Sequence, residues 1–176
     1  MKKILILGAS SFAGSSFFEY LNDNFQYNLL GTYNSKKNIK KLFKRKNIIK
    51  KLIKLNLNKK DNNLLGIVKK FKPNYIFDFA SVCLVNESWQ NPSYYFNVNV
   101  NSKLELIACL HKMSFLKKFI YISTPEVFGS TSKFINENNK NFNPSTPYAL
   151  SKLSCEKALL NYPLKSSYGK DPPANL

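Results

Sequence analysis

The sequence predicts an α/β fold with a doubly wound parallel sheet. Short runs rich in Ile, Leu and Val alternate with segments whose apolar residues recur at helical spacing, and the strand-like runs are mostly apolar. Strands of this kind are typical of a parallel sheet covered by helices on both faces. A length of 176 residues suits one domain.

The expected elements follow in order along the chain. The predicted strands are 2–7, 27–33, 48–57, 75–79 and 118–123. The predicted helices are 12–21, a helix capped by Asp61 and ended by Pro73, 94–113, and a helix opened by Thr146-Pro147 that runs to about residue 161. A polar stretch at 130–143 is predicted to be a loop.

The net charge of +17 comes almost entirely from lysine, since Arg45 is the only arginine among 27 basic residues. Nucleic-acid sites rely on Arg for bidentate contacts, so the composition disfavours nucleic acid as a partner. The twelve basic residues at 36–60 are interpreted as a solvated face. Attraction of phosphate-bearing substrates is the functional alternative.

Other function classes are disfavoured by what the chain contains. Cys83, Cys109 and Cys155 form no Cys-x-x-Cys pair, and His111 is the only histidine, so we expect no metal site. No apolar run approaches the ~20 residues of a membrane span. The N-terminal apolar stretch is interpreted as a strand rather than a signal peptide, so we expect no membrane partner and a cytoplasmic protein.

A phosphate-binding turn is predicted between the first strand and the first helix, at Gly8-Ala9-Ser10-Ser11-Phe12-Ala13-Gly14. Gly8 permits a tight turn, and Gly14 lets the helix approach the strand. Ser11 replaces the middle glycine of the Gly-x-x-Gly-x-x-Gly pattern. The pyrophosphate of a dinucleotide would lie on the free N–H groups of the helix, as in a Rossmann-type fold.

The end of the second strand bears on the choice of cofactor. Asp or Glu is expected there to bind the ribose of NAD, but 31–37 contains neither. Lys36 and Lys37 could pair with a 2′-phosphate, which favours NADP slightly over NAD. Two surface lysines in a lysine-rich protein explain the same pattern equally well.

Tyr148 and Lys152 lie four residues apart on a predicted helix and therefore one turn apart on one face. A nearby ammonium lowers the pKa of a phenol, so that a tyrosine can act as a general base on a sugar hydroxyl. This pattern alone often occurs by accident.

Further stretches accompany the pattern in a fixed order. They are Phe-Ile-Tyr-Ile-Ser-Thr-Pro-Glu-Val-Phe-Gly at 119–129, Asn-Pro-Ser-Thr-Pro at 143–147, Lys-Pro-Asn-Tyr-Ile-Phe-Asp-Phe-Ala-Ser at 72–81, and Glu-Ser-Trp-Gln-Asn-Pro at 87–92 followed by Asn99. Together they resemble the extended short-chain dehydrogenase/reductase family, specifically its sugar-nucleotide epimerases and 4,6-dehydratases. The resemblance covers residues 2–162.

The resemblance implies a catalytic set. Tyr148 would remove the proton from the sugar 4-hydroxyl as hydride passes to the nicotinamide, and Thr124 would bind the same oxygen. Lys152 would hold the nicotinamide ribose and lower the pKa of Tyr148. Glu126 would remove a second proton in a dehydratase, or would be a scaffold residue in an epimerase. Pro125 in place of Asp argues against the dTDP-glucose type of dehydratase.

The resemblance also implies a set of cofactor contacts. They are Gly8, Ser11, Phe12 and Gly14 at the pyrophosphate, Asn56 and Leu57 beside the adenine, Phe79, Ala80 and Ser81 beside the nicotinamide, and Asn99 as support. Asn56 stands where the family commonly has Asp, which removes a charge and keeps an acceptor.

Members of the resembled family are about twice as long. We therefore expect an NAD(P)-binding domain at 1–162, an irregular tail at 163–176, no substrate domain, and a sheet incomplete at its C-terminal end. Three functions stay open: an enzyme completed by a complementing chain, a non-catalytic dinucleotide-binding module, and an inactive truncated relic. A homodimer through the helices at 94–113 and 147–161 is a further expectation.

Overall fold

The computed structural model describes residues 1–35, 39, 43, 46–59, 63–132, 134–136 and 138–161. The predicted cofactor residue Lys36, its neighbour Lys37, the predicted cap Asp61 and the predicted tail lie outside these residues.

The predicted doubly wound parallel sheet is confirmed. Its strands are β1 (Lys3–Leu7), β2 (Asn28–Tyr33), β3 (Leu52–Lys54), β4 (Tyr75–Asp78) and β5 (Lys118–Tyr121). All the pairings are parallel, and the order across the sheet is β3-β2-β1-β4-β5. The order reverses direction between β1 and β4, which is where ligands bind in open sheets of this kind.

Helices connect the strands. They are α1 (Phe12–Asn24), α2 (Lys46–Ile49), α3 (Leu64–Phe71), α4 (Val85–Gln90), α5 (Pro92–Phe96), α6 (Ser102–Cys109) and α7 (Pro147–Asn161). A π-helical turn (Asn97–Asn101) joins α5 to α6, and 3₁₀ turns lie at Leu110–Lys112 and Pro125–Phe128. Within the described ranges, no helix is both long and apolar enough to cross a membrane.

Both faces of the sheet are buried because side chains alternate along β1. Leu5 and Leu7 pack into a core that includes Val68 of α3. Ile4 and Ile6 pack into a second core on the opposite face, against α1. The apolar strands of the sequence therefore reflect helices on both sides.

The predicted third strand, 48–57, was too long at both ends. Its first part is the helical turn α2, whose Ile48 is fully buried, and Lys51 N–H closes a turn onto the Ile48 carbonyl. Only Leu52–Lys54 pairs with β2. Ile and Lys interleaved over a short run fit either period, so the pattern could not separate the turn from the strand.

The predicted continuous helix 94–113 is interrupted. The π-helical turn lies inside it, and the segment ends in a 3₁₀ turn. The extra residue of a π turn changes which side chains face inward, and Asn99 in this turn is fully buried. The prediction also missed the short helix α4 and the 3₁₀ turn that carries Glu126.

Candidate active site

The turn after β1 is shaped by glycine and serine. Gly8 has φ +70°, and a Cβ there would lie 2.7 Å from the Ala80 nitrogen. Ser11 N–H donates to the Gly8 carbonyl at 2.9 Å, and the Ser11 hydroxyl caps α1 by accepting from Gly14 N–H at 3.1 Å. The N–H groups at the start of α1 are therefore available to bind an anion in front of the turn.

A cavity of about 220 Å³ opens beside this turn. Its lining contains seven predicted cofactor residues: Gly8, Ser11, Asn56, Leu57, Phe79, Ala80 and Ser81. Sequence analysis missed other lining residues, among them Thr32, Asn34 and Tyr94. Thr32, at the end of β2, accepts a hydrogen bond from Gly8 N–H at 3.0 Å; a polar residue in a buried strand was the available signal.

Five other predicted cofactor residues lie outside this lining: Tyr148 and Lys152 of the catalytic set, and Phe12, Gly14 and Asn99. Phe12 is 90% exposed on the first turn of α1. Gly14 lies against the Gly8 carbonyl, which a Cβ would approach to 2.4 Å, so it serves the close contact of helix and turn. Asn99 is fully buried and supports the site from behind.

The Asn99 amide joins two parts of the site. Its oxygen accepts from Val82 N–H at 2.9 Å, and its NH₂ group donates to the Val82 carbonyl at 3.1 Å and to the Ser151 hydroxyl at 2.9 Å. Ser151 in turn donates to the Tyr148 carbonyl at 2.7 Å. The loop after β4 is thereby tied to the helix that carries Tyr148 and Lys152.

Tyr148 and Thr124 come together. α7 begins where the Thr146 hydroxyl accepts from Ala149 N–H at 3.0 Å, and this places Tyr148 on the buried face of the helix. Burial raises the pKa of Tyr148, the hydrogen bond with Thr124 lowers it, and the charges of Cys83 and Glu126 raise it further. The net direction is upward, so the expected lowering by Lys152 stays a prediction.

Lys152 lies on the same face of α7, 2% exposed. Its ammonium donates to the Ile122 carbonyl at 2.6 Å and lies 4.2 Å from the centroid of the Tyr121 ring. Burial lowers the pKa of Lys152 to about 8, and the positive charge of Lys103 contributes in the same direction. The amine can therefore exchange a proton near neutral pH.

Glu126 lies on the 3₁₀ turn after β5 and is half-buried. The Thr124 hydroxyl caps this turn by accepting from Glu126 N–H at 3.4 Å. Thr124 also lines a second, more open cavity with Ser123, Phe128 and Glu156. The structure thus places Thr124 between the Tyr148 hydroxyl and a second opening beside β5.

A buried ion pair beneath the cofactor cavity was missed by the sequence analysis. The Lys103 ammonium lies 2.7 Å from an Asp78 carboxylate oxygen, and both side chains are at most 1% exposed. Asp78 stands in the stretch 72–81, which carries part of the resemblance, but nothing in that stretch pointed to Lys103.

Comparison with known proteins agrees with this geometry. The model of the NAD dependent epimerase/dehydratase family matches residues 4–168. The UDP-glucose 4-epimerase of Mycoplasma genitalium is 26% identical over 174 residues, which are 94% of this chain and 49% of that enzyme. A GDP-mannose 4,6-dehydratase of Vibrio cholerae is 27% identical over 110 residues, 61% of this chain and 29% of that enzyme.

Solved structures give the same result. The UDP-glucuronic acid 4-epimerase of Bacillus cereus, in complex with UDP-glucuronic acid and NAD, has a TM-score of 0.73 and 25% identity, covering 91% of this chain and 52% of that one. The chain spans about half the length of the epimerases it matches. With the family model matched over most of its length, the chain belongs to the NAD dependent epimerase/dehydratase family.

Proposed function

We propose that the chain takes part in NAD(P)-dependent oxidoreduction at the 4-hydroxyl of a sugar nucleotide. The observation that carries the proposal is the position of Tyr148 and Lys152 on the buried face of α7. Ser151 on the same face is hydrogen-bonded to Asn99, which holds Val82 in the lining of the cavity that also contains seven predicted cofactor residues. Membership of the epimerase/dehydratase family supports the same chemistry.

The turn at Gly8 fits a dinucleotide because it brings backbone atoms to the N-terminus of α1, where the capping side chain is the small Ser11 hydroxyl. When bound, the nicotinamide ring supplies the hydride acceptor. Tyr148 as a phenolate takes the proton of the sugar 4-hydroxyl, and Thr124 orients the two oxygens. Lys152 lies one helical turn away, and moving its ammonium towards the phenolate would lower the pKa of Tyr148.

The reaction type depends on Glu126. Its charge acts on the Tyr148 hydroxyl, which supports a place for Glu126 at the reaction site. A Glu that removes a second sugar proton leads to loss of water. Without that step, the configuration of the carbon that carries the 4-hydroxyl is inverted instead. The mass of the product separates the two, because a dehydratase product is lighter by one water and an epimerase product is unchanged.

Tyr148→Phe tests the proposed base. We expect wild-type chain, mixed with NAD or NADP and a panel of UDP- and GDP-sugars, to form reduced cofactor or altered sugar. The substitution should lower that rate by roughly 10²–10⁴-fold. Tyr20→Phe, which removes a phenol from an exposed site on α1, should leave the rate unchanged.

Two results would contradict the proposal. Equal rates for Tyr148→Phe and wild type would exclude Tyr148 as the base. Cofactor binding without any turnover would favour the non-catalytic dinucleotide-binding module. If a complementing chain then restored turnover, the proposal would stand, and the active form would be the enzyme completed by that chain.

We also propose that the cavity accepts NADP at least as well as NAD. The described residues that line it carry no charged side chain, and Asn34 follows β2 where an acid would bind the ribose of NAD. In thermal-melt titrations with both cofactors, Asn34→Asp should weaken the binding of NADP more than that of NAD, because the new carboxylate repels the 2′-phosphate. Asn58→Asp, elsewhere in the same lining, is the control, and an equal loss of both cofactors would refute the assignment.

A further inference from the structure

The ion pair between Asp78 and Lys103 is buried and joins β4 to α6. Asp78 ends β4 with 0% exposure, and Lys103 comes from the first turn of α6 with 1% exposure. Removing two charges from water is costly, and a buried pair is weak evidence for stability. The contacts that the pair makes therefore indicate what it does.

The pair holds both backbone polar groups of Ala80. The second Asp78 carboxylate oxygen accepts from Ala80 N–H at 2.9 Å, and the Lys103 ammonium donates to the Ala80 carbonyl at 2.6 Å. Ala80 lines the cofactor cavity, and its backbone lies against Gly8 of the phosphate-binding turn. The ion pair thus fixes the wall where the loop after β4 meets that turn.

The same pair acts on Lys152. The ammonium groups of Lys103 and Lys152 lie 5.3 Å and 4.2 Å from the centroid of one ring, that of Tyr121. The Lys103 charge lowers the pKa of Lys152, and the Asp78 charge raises it. The remaining titratable groups that act on Lys152 are Cys155 and Glu156, and both raise its pKa.

We propose that Asp78 and Lys103 are positioning residues of the active site, which clamp Ala80 against the cofactor cavity and hold the Lys103 ammonium beside the Tyr121 ring that Lys152 also contacts. The proposal deepens the proposed cofactor site and rests on it. Neither side chain lines the cavity, so both act through Ala80 and Lys152.

Titration of Lys152 tests the electrostatic part. Acylation of Lys152 is followed by mass spectrometry across pH in wild type, Lys103→Met and Asp78→Asn. We expect the pKa of Lys152 to rise in Lys103→Met, which removes a like charge, and to fall in Asp78→Asn, which removes an opposite one. If the pKa of Lys152 shifted in the same direction in both variants, or in neither, the proposal would be overturned. Loosened packing alone would not shift this pKa in opposite directions in the two variants.

Cofactor affinity tests the clamp. Lys103→Met leaves the Ala80 carbonyl without its donor and should weaken NADH or NADPH binding roughly tenfold. Val68→Ala, which makes a cavity in the core at α3, is the control for lost stability and should bind cofactor like wild type. Equal affinity in Lys103→Met and Val68→Ala would contradict the clamp.

A single substitution can leave one buried charge unpaired and prevent folding. The double variant Asp78→Asn with Lys103→Met removes both charges and keeps an acceptor for Ala80 N–H. It should fold and still bind cofactor roughly tenfold more weakly than wild type, and wild-type affinity would overturn the proposal. If wild type itself binds no cofactor, the proposed cofactor site fails, and the Lys152 titration alone decides the role of the pair.

Discussion

At the scale of single residues, the cofactor turn depends on a backbone conformation that few side chains allow. Gly8 and Gly129 both have φ near +70°, at +70° and +66°, and both lie against backbone atoms of another segment. Gly8 contacts Ala80 in the cofactor cavity, whereas Gly129 contacts Asn143 outside it. Both glycines adopt a positive φ that side chains disfavour, and they differ in what they face.

Gly8→Ala should therefore lower both stability and cofactor affinity. The left-handed conformation and the 2.7 Å approach to Ala80 should destabilise the fold by about 1–3 kcal/mol in urea unfolding. Gly129→Ala, the control, should lower stability at least as much, because its Cβ would approach the Asn143 carbonyl oxygen to 2.1 Å, without changing NADH affinity. Cofactor binding that falls equally in both variants would show that Gly8 has no separate role in the cavity.

Sequence motifs predicted the catalytic residues and the turn of the candidate active site, and they missed its buried ion pair. Tyr148, Lys152, Thr124 and Gly8 stand in short motifs whose spacing is visible in the chain. The partners Asp78 and Lys103 are 25 positions apart on β4 and α6, so only the fold brings them together. A buried ion pair leaves no periodic signal, because each member looks like an ordinary surface charge.

At the scale of elements, the Ser151 hydroxyl links α7 to the loop after β4 through the Asn99 amide. Ser151 accepts from the buried Asn99 amide and donates to the Tyr148 carbonyl. Tyr148, Ser151, Lys152 and Cys155 form the face of α7 that packs inward. The helix therefore combines core packing and catalytic chemistry on one side.

Ser151→Ala should destabilise the fold by about 1–3 kcal/mol, because the Asn99 NH₂ group loses a buried acceptor. Ser154→Ala lies on the same helix, where its exposed hydroxyl bonds only to the Leu150 carbonyl. That control should stay within about 0.5 kcal/mol of wild type in urea unfolding. A comparable loss in both variants would remove the argument for a Ser151 link.

The limits of the π turn and of the strand β3 could not be predicted from the sequence pattern. Helical periodicity correctly indicated helix on both sides of 97–101, but a five-residue π turn is too short to show a period of its own in the sequence. The strand at 52–54 is so short that period 2 has no length in which to show itself. Both errors arise where tertiary contacts of Asn99 and Ile48 decide the backbone.

At the scale of the whole molecule, stability should depend on pH through Lys152. Its pKa of about 8 in the folded chain is below the ordinary value of 10.5, so the unfolded chain binds more protons between these values. Stability should therefore rise with pH from about 8 to 10. The raised pKa of Cys155 acts in the opposite direction from about pH 9, and those of Tyr95, Tyr121 and Tyr148 do so above about pH 10.

Urea unfolding of wild type and Lys152→Met between pH 7.5 and 9.5 measures this effect, in a window chosen around the pKa of about 8. The wild-type free energy of unfolding should rise with pH, and the slope should be smaller in Lys152→Met. Lys118→Met on β5 removes an exposed lysine and should keep the wild-type slope. A slope that is unchanged in Lys152→Met would refute the lowered pKa.

The Asn99 amide has a consequence for solvent exchange. Val82 N–H is protected by a side chain of the π-helical turn, not by a neighbouring strand. Its exchange with deuterium therefore reports when the loop after β4 separates from the π-helical turn. The amides of β1 report opening of the sheet. If NADH slows exchange at Val82 and leaves exchange in β1 unchanged, the cofactor orders the contact between the loop after β4 and the π-helical turn.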